Sequence, residues 1–373
     1  MDTVAFDDLI KKSITHTKEI LFRPFSAKKW LKLILIGFLA GAVSYGGNFG
    51  SSSNYRSSGP AKKKTFYQQN EPSAAPAAVL TQGAYHRDAF SQPYNFLRNF
   101  FTPQVIISVS IVLTLALILI LLFSWISSRF KFIWLNAIRH NETPIKVPWR
   151  EFRHQGNSFF GFTLTMMAVW LVYFGGLAVW GFFSLRAAGV FYAAAQYSLW
   201  QIIISIGAII LLLIIGAVIF ALIQALADHF VIPIMEADRC GFMEGAGIGL
   251  KILRGDLKNF LLFFLLMIAF GIVTLLATFV LVLLVLLFLL LVGLVLFGVP
   301  YLLFSATNAM PGFWIYAVIM GIPFVVLLYI LMLSIQLPFA VFFRSFSLYF
   351  LSALDCGYTP LPLDHTPAPS VPS

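Results

Sequence analysis

The stretch of sequence that decides the fold is residues 260–304, which read FLLFFLLMIAFGIVTLLATFVLVLLVLLFLLLVGLVLFGVPYLLF. No Asp, Glu, Lys, Arg or His occurs from Asn259 to Phe343. A helix crosses a hydrocarbon core of about 30 Å with roughly 20 apolar residues. The run is too long for a membrane β-strand and lacks the alternation that such a strand needs. It therefore predicts membrane-spanning helices.

The whole chain has the composition of an all-α, polytopic membrane protein. Hydrophobic residues make up 60% of it and charged residues 11%, whereas about a quarter of a soluble domain is charged. As one straight helix, the run at 260–304 would measure about 67 Å. It either crosses twice with a tight apolar turn, or crosses once and bends near Gly293, Gly298 and Pro300. Runs that suit a membrane span cover residues 30–47, 104–128, 159–184, 199–227, 260–304 and 313–343.

The distribution of basic residues predicts the orientation of the chain. Lys and Arg number seven in residues 1–32, six in 129–158 and four in 228–259. Short segments rich in these residues stay cytoplasmic. Both termini are therefore expected on the cytoplasmic side of a cell inner membrane, and residues 185–198 outside. The net charge of +10 reflects this topology, so no nucleic-acid partner is expected.

The remaining segments are predicted to lie beside the membrane. Residues 48–103 are expected to form a disordered outside loop, because their first part is biased towards Gly, Ser, Pro and Ala. Residues 359–373, with five prolines, are expected to form a disordered tail. Residues 1–29 predict an amphipathic helix lying in the interface, with an apolar face of Phe6, Ile10, Ile14 and Leu21.

Three short segments resemble one another, and each follows an apolar run. We name them exit segment 1, RFKFIWLNAIRHNE (129–142), exit segment 2, HFVIPIMEADRCGF (229–242), and exit segment 3, SFSLYFLSALDCGY (345–358). Upstream, AKKWLKL, GNSFFGF and LKNFLLF align Trp30, Phe159 and Phe260. The matching columns are Phe130/Phe230/Phe346, Leu135/Met235/Leu351, Ala137/Ala237/Ala353 and Asn141/Gly241/Gly357.

This repetition predicts a single transmembrane domain over 30–358 with about six spans. The spans pair into three pseudo-repeated hairpins at 30–142, 143–242 and 243–358, whose exit segments are amphipathic helices along the cytoplasmic interface. Under this count the run at 260–304 crosses once, and SATNAMPG (305–312) forms an outside turn. The alternative is a chance match, because membrane helices use few residue types and weak similarities between them arise without a true repeat.

Exit segment 2 raises the question of a metal or proton site, because DHFVIPIMEADRC (228–240) places Asp228, His229, Glu236 and Asp238 close together. An exposed membrane edge lacks the ordered second shell that tunes a metal, and the other exit segments carry different polar residues. We therefore interpret it as a helix leaving the bilayer along the interface, bent at Pro233. Headgroup binding is the remaining alternative.

Motifs for catalysis are absent from the sequence. No GxxxxGK[ST], HExxH, GxSxG or GxGxxG occurs, and no ionisable residue falls in the middle of a predicted span, where it would point to function. We expect neither an enzyme nor a cofactor.

A basic cytoplasmic surface is the main candidate site. Cationic side chains beside aromatic ones at a membrane suit anionic headgroups, at about 1 kcal/mol for each charge near the surface. Alternatively, these basic residues only determine the orientation of the chain in the membrane, together with aromatic anchors at the interface. Membrane lipids are the expected partners, through Arg129, Lys131, Arg139, Lys146, Arg150 and Arg153.

These features predict a non-enzymatic, lipid-interacting or scaffolding membrane protein. The alternative is a passive or gated transporter of a small or lipidic substrate, formed between the three hairpins. A polar central cavity would favour the transporter, and a filled apolar centre would favour the scaffold.

Three stretches carry a resemblance: LFRPFSAKKWLKLILIGFLAG (21–41), DHFVIPIM (228–235) and LPFAVFFRSFSLYFLSAL (337–354). Here the chain resembles an uncharacterised family of bacterial polytopic membrane proteins, similar to the membrane domain fused to glycerophosphoryl diester phosphodiesterases. The likeness covers most of 20–355, apart from the loop at 48–103. It implies a helical membrane domain, but no activity, because the acidic and His-rich phosphodiesterase domain has no counterpart in the sequence.

Overall fold

The structure, a computed structural model, describes residues 5–43, 103–187, 199–354, 358, 360 and 361. Two compact units are distinguished, one of Met1–Ser52 with Ser124–Ser373 and one of Ser53–Phe123. All regular structure in the described ranges is helical. The predicted outside loop at 48–103 lies outside them except for Pro103, and the tail at 359–373 except for 360 and 361.

Eleven α-helices and two π-helical segments occur in the described ranges. The π segments are Ala227–Val231 and Leu294–Gly298. The α-helices are α1 Phe6–Phe22, α2 Ala27–Leu39, α3 Pro103–His140, α4 Lys146–Glu151, α5 Arg153–Ala187, α6 Leu199–Leu226, α7 Ile232–Ala237, α8 Phe242–Gly255, α9 Leu257–Gly293, α10 Val299–Ala306 and α11 Met310–Ala353.

Five helical stretches among the described residues are long and apolar enough to cross a membrane. The chain is thus an all-helical, multi-pass membrane protein, and five of the six predicted apolar runs coincide with these stretches. They are Pro103–His140, Arg153–Ala187, Leu199–Ala237, Leu257–Ala306 and Met310–Ala353.

Of the span predicted over 30–47, residues 30–43 are described, and the helix among them is short. α2 has 13 residues, or about 20 Å, which is less than the hydrocarbon thickness. It ends because Gly41 adopts φ +73, a left-handed conformation that glycine tolerates. The N–H groups of Gly41 and Ala42 then donate to the carbonyls of Phe38 and Gly37, which closes the helix with a Schellman motif.

The long apolar run is one helical stretch rather than two spans with a tight turn. α9 continues through the π segment Leu294–Gly298 into α10. The chain turns at 307–309, inside the predicted turn SATNAMPG, and returns as α11. α9, α10 and α11 thus form one antiparallel hairpin, while α5 and α6 form another, in which the Tyr173 hydroxyl donates to the Leu212 carbonyl at 2.6 Å.

The core lies at one end of the long helices, where the exit segments meet, and we call this the core end. The exit segments, predicted as amphipathic helices along the interface, are buried on their matching positions: Leu135, Met235 and Leu351 are at most 1% exposed. Aromatic rings fill the space between the segments. Phe263 lies 4.4 Å from Phe350 and 5.2 Å from Phe230, measured between ring centroids.

α1 is the predicted amphipathic helix, but it packs on protein. Phe6 stacks on Phe350 at 5.8 Å, whereas Ile14, predicted on the apolar face, is 41% exposed. Its buried face includes Ser13 and Thr17, whose hydroxyls donate to the carbonyls four residues earlier. Because these hydroxyls are satisfied within the helix, α1 can be buried against α11.

Candidate lipid-headgroup surface and buried charge cluster

Arg129, the first of the six predicted headgroup ligands, is enclosed by protein. It is 7% exposed, and its guanidinium lies 4.2 Å from the Trp125 ring and 4.9 Å from the Trp149 ring. Its Nη2 donates to Asn157 Oδ1 at 2.9 Å. Arg129 is therefore held between tryptophans and joins α3 to the start of α5.

Lys131 and Arg139 form ion pairs with exit segment 2. Lys131 Nζ lies 2.5 Å from Asp228 Oδ1, and Arg139 Nη1 lies 3.0 Å from Glu236 Oε2. In both pairs the two residues are 97 positions apart in the chain. Exit segments 1 and 2 therefore run parallel to each other, in a constant register. The side chains of Asp228 and Glu236 are 31% and 6% exposed. These two cations hold the core end together.

Lys146, Arg150 and Arg153 remain exposed. They lie on α4 and at the first residue of α5, and among the described residues none of them has a carboxylate within ion-pair distance. Pro148, between Lys146 and Arg150 in the chain, is buried, and Trp149 packs on Phe130 at 5.5 Å. We name these three residues the α4 basic surface. Their charged side chains are exposed, while Trp149 of the same segment packs on the protein.

The acidic cluster of exit segment 2 is divided among different partners. Asp228 pairs with Lys131, Glu236 pairs with Arg139, and Asp238 accepts a hydrogen bond from the Tyr358 hydroxyl. His229 packs edge-on to Phe263 at 6.5 Å. The four residues predicted as a cluster therefore make separate contacts.

The residue that the sequence interpretation missed is Arg344. It is 6% exposed, at the end of the last apolar run, and its Nη1 donates to the backbone carbonyl of Asp228. The π segment Ala227–Val231 and the proline that follows it explain why the Asp228 carbonyl accepts this hydrogen bond. The Ile232 N–H bonds to the Ala227 carbonyl, five residues earlier. The next bond of this π pattern would join residue 233 to the Asp228 carbonyl, but Pro233 has no N–H. Arg344 supplies the missing donor.

The second π segment has a related arrangement, in which the carbonyl that accepts a side-chain hydrogen bond lies four rather than five residues before the proline. It ends at Gly298, two residues before Pro300, as the first ends at Val231, two residues before Pro233. Pro300 cannot donate to Leu296, four residues earlier, and the Tyr316 hydroxyl donates to that carbonyl at 3.0 Å. In each case a side chain of α11 satisfies a carbonyl that proline leaves without a donor, as the interior of a membrane protein requires.

A model of a family of unknown function, DUF7544, matches residues 3–361. The chain belongs to this family. No curated protein and no solved structure matches the chain. The description of DUF7544 assigns no activity.

Two further groups at the core end of this DUF7544 member have shifted pKa values. Burial raises the pKa of the Cys240 thiol, and nearby Asp238 raises it further, so the thiol stays protonated and weakly nucleophilic near neutral pH. Burial lowers the pKa of the Lys29 ammonium, which donates to Asn141 Oδ1 at 2.5 Å. Lys29 thereby joins α2 to the residue that follows α3.

Proposed function

We propose that this DUF7544 protein is a non-enzymatic, lipid-interacting scaffold of the cell inner membrane that binds anionic headgroups at the α4 basic surface. The observation that carries the proposal is the contrast within the predicted set. Arg129, Lys131 and Arg139 make contacts inside the protein. In contrast, Lys146, Arg150 and Arg153 are exposed, near the buried Pro148 in the chain. Such a cluster attracts anionic lipid within a Debye length of about 8 Å.

The filled core end supports a scaffold rather than a transporter. The space between the three exit segments holds stacked and edge-on rings, among them Phe263 and Phe346 with centroids 5.4 Å apart. Phe132 and Phe159, on the side of exit segment 1, are fully buried. A substrate path at this level would have to displace these side chains, so we favour the scaffold.

Contacts between successive hairpins support the proposed threefold repeat. Exit segment 1 meets the start of the second hairpin through Phe132 and Phe159, at 6.3 Å. Exit segment 2 meets the start of the third through Phe230 and Phe260, at 4.8 Å. Exit segment 3 returns to α1 through Phe350. One column departs from the pattern: Asn141 has φ 56, whereas Gly241 has φ −78.

The proposed topology places both termini in the cytoplasm. It is supported by the packing of α1 on the last turns of α11, where His16 lies edge-on to Tyr349 at 5.9 Å. The resemblance to the membrane domain fused to glycerophosphoryl diester phosphodiesterases stays a prediction, and no activity is proposed from it.

The test replaces the α4 basic surface by glutamine. The triple variant Lys146→Gln, Arg150→Gln, Arg153→Gln removes three exposed charges and no ion pair of the core. We expect it to insert normally and to retain clearly less phosphatidylglycerol and cardiolipin, since each charge contributes about 1 kcal/mol near an anionic surface. Native mass spectrometry after gentle extraction measures the retained lipid.

A matched control separates this surface from general positive charge. Lys251, Arg254 and Lys258 are also exposed at the core end, and their triple Gln variant changes the net charge equally. Equal loss of lipid in both variants would contradict a specific α4 site. Unchanged lipid in the α4 variant would mean that its charges set topology alone.

A further inference from the structure

The hairpin of α9, α10 and α11 is longer than a bilayer is thick. Its arms lie side by side where Phe270 packs on Phe342 at 5.4 Å, and again where the Phe324 ring lies 3.4 Å from the position that a Cβ on Gly293 would take. The 23 residues between Phe270 and Gly293 span about 35 Å, close to the hydrocarbon thickness of about 30 Å. The stretch Leu294–Ala306 adds 13 residues, or about 20 Å.

Tilting does not absorb this excess. A straight hairpin of about 55 Å would need a tilt of about 60° to remain within 30 Å of hydrocarbon, whereas membrane helices tilt by about 0–40°. No charged residue occurs between Asn259 and Phe343 to favour contact with water. The surplus residues, 294–322, are named the hairpin tip.

A joint lies where the tip begins. The π segment Leu294–Gly298 and Pro300 lie in one arm, and Pro323 lies in the other. The two arms meet there, because the rings of Phe297 and Phe324 are 5.7 Å apart. Prolines and π segments are the usual sites of helix kinks, so both arms can bend at the same level.

The hairpin tip exposes apolar side chains, and polar groups at its turn form hydrogen bonds within the tip. Leu303 and Ile315 are each 64% exposed, and Trp314 is 65% exposed. At the turn, the Thr307 hydroxyl donates to the Leu303 carbonyl at 3.0 Å, and the N–H of residue 309 donates to the carbonyl of residue 304 at 2.9 Å. Internal satisfaction of the backbone is what immersion in lipid requires.

We propose that the hairpin tip is a lipid-binding element that bends at this joint and lies within the leaflet opposite the core end, against acyl chains. The proposal is independent of the α4 basic surface, because it concerns the other end of the hairpin and involves no charge.

The experiment places nitroxide labels on the tip in a Cys240→Ser, Cys356→Ser background. Leu303→Cys and Ile315→Cys report on the tip, and Phe279→Cys, at an exposed position midway along α9, serves as the deep reference. The full chain is reconstituted in vesicles of phosphatidylethanolamine and phosphatidylglycerol. Collision rates with oxygen, which enters lipid, and with a water-soluble nickel chelate are then measured.

We expect collisions with oxygen to exceed those with nickel at both tip positions, at a shallower depth than at Phe279. Dominant nickel collisions would place the tip in water and overturn the proposal. Protection from both reagents would mean that a protein covers the tip, which also overturns it. Replacing both prolines (Pro300→Ala with Pro323→Ala) should raise nickel collisions at Leu303 about twofold by stiffening the joint; no change would refute the bend.

Discussion

At the scale of single residues, the core end depends on how proline is accommodated. Pro233 leaves the Asp228 carbonyl without a backbone donor, and the buried Arg344 donates to it. An unsatisfied buried carbonyl costs about 1–3 kcal/mol. The burial of a charged arginine is thus explained by the backbone of a different helix.

We predict that Arg344→Met destabilises the protein by about 1–3 kcal/mol, because the carbonyl loses its donor. In a Pro233→Ala background the backbone regains an N–H, so the same substitution should cost clearly less. SDS-induced unfolding in mixed micelles, arranged as a double-mutant cycle, measures the difference. Equal costs in both backgrounds would show that Arg344 does not serve the carbonyl freed by proline.

At the scale of helices, close approach of α3 and α5 depends on one glycine. A Cβ on Gly156 would lie 2.7 Å from Arg129 Cγ and 3.3 Å from Arg129 Cα. The arginine is itself held between two tryptophans, so it cannot easily yield. Gly161, five residues later on α5, has nothing within 4 Å of its Cβ position apart from the adjacent backbone of its own helix.

We predict that Gly156→Ala destabilises the protein by about 1–3 kcal/mol through overpacking. Gly161→Ala is the matched control and should be neutral or stabilise by up to about 1 kcal/mol, because alanine favours the helix. The same unfolding assay compares both variants. A harmless Gly156→Ala would mean that the two helices separate without cost.

At the scale of the described helices, α1 and the end of α11 lie at the same end, whereas α5 ends and α6 begins at the other. If the core end is cytoplasmic, Lys11 and Gly255 share that side, and Leu199 lies near the outer face.

We predict that, in a Cys240→Ser, Cys356→Ser background, Leu199→Cys reacts with an impermeant maleimide in intact cells. Lys11→Cys and Gly255→Cys should react only after permeabilisation. Labelling of either position from outside would contradict the proposed orientation. If Lys11→Cys were labelled in intact cells and Gly255→Cys were not, the two residues would lie on opposite sides of the membrane, which would contradict the structure.

Apolar run length, which depends on local composition, predicted five helices correctly. Of the run at 30–47, residues 30–43 are described, and there Gly41 ends α2 through backbone hydrogen bonds that hydropathy does not register. Of the candidate site, the sequence located six cations but not their partners. Arg129, Lys131 and Arg139 are used internally because the distant segments at 149–157 and 228–236 pack beside them.

Membrane insertion, helical class and the positions of the long helices were therefore determined by the sequence alone, since a bilayer selects for local hydrophobicity. Only the tertiary structure decided that the exit segments form a buried core, that Arg344 completes the backbone of another helix, and that three of six cations stay exposed. Those outcomes depend on contacts between residues about 30 to 340 positions apart, and periodicity within one helix carries no information about its neighbours.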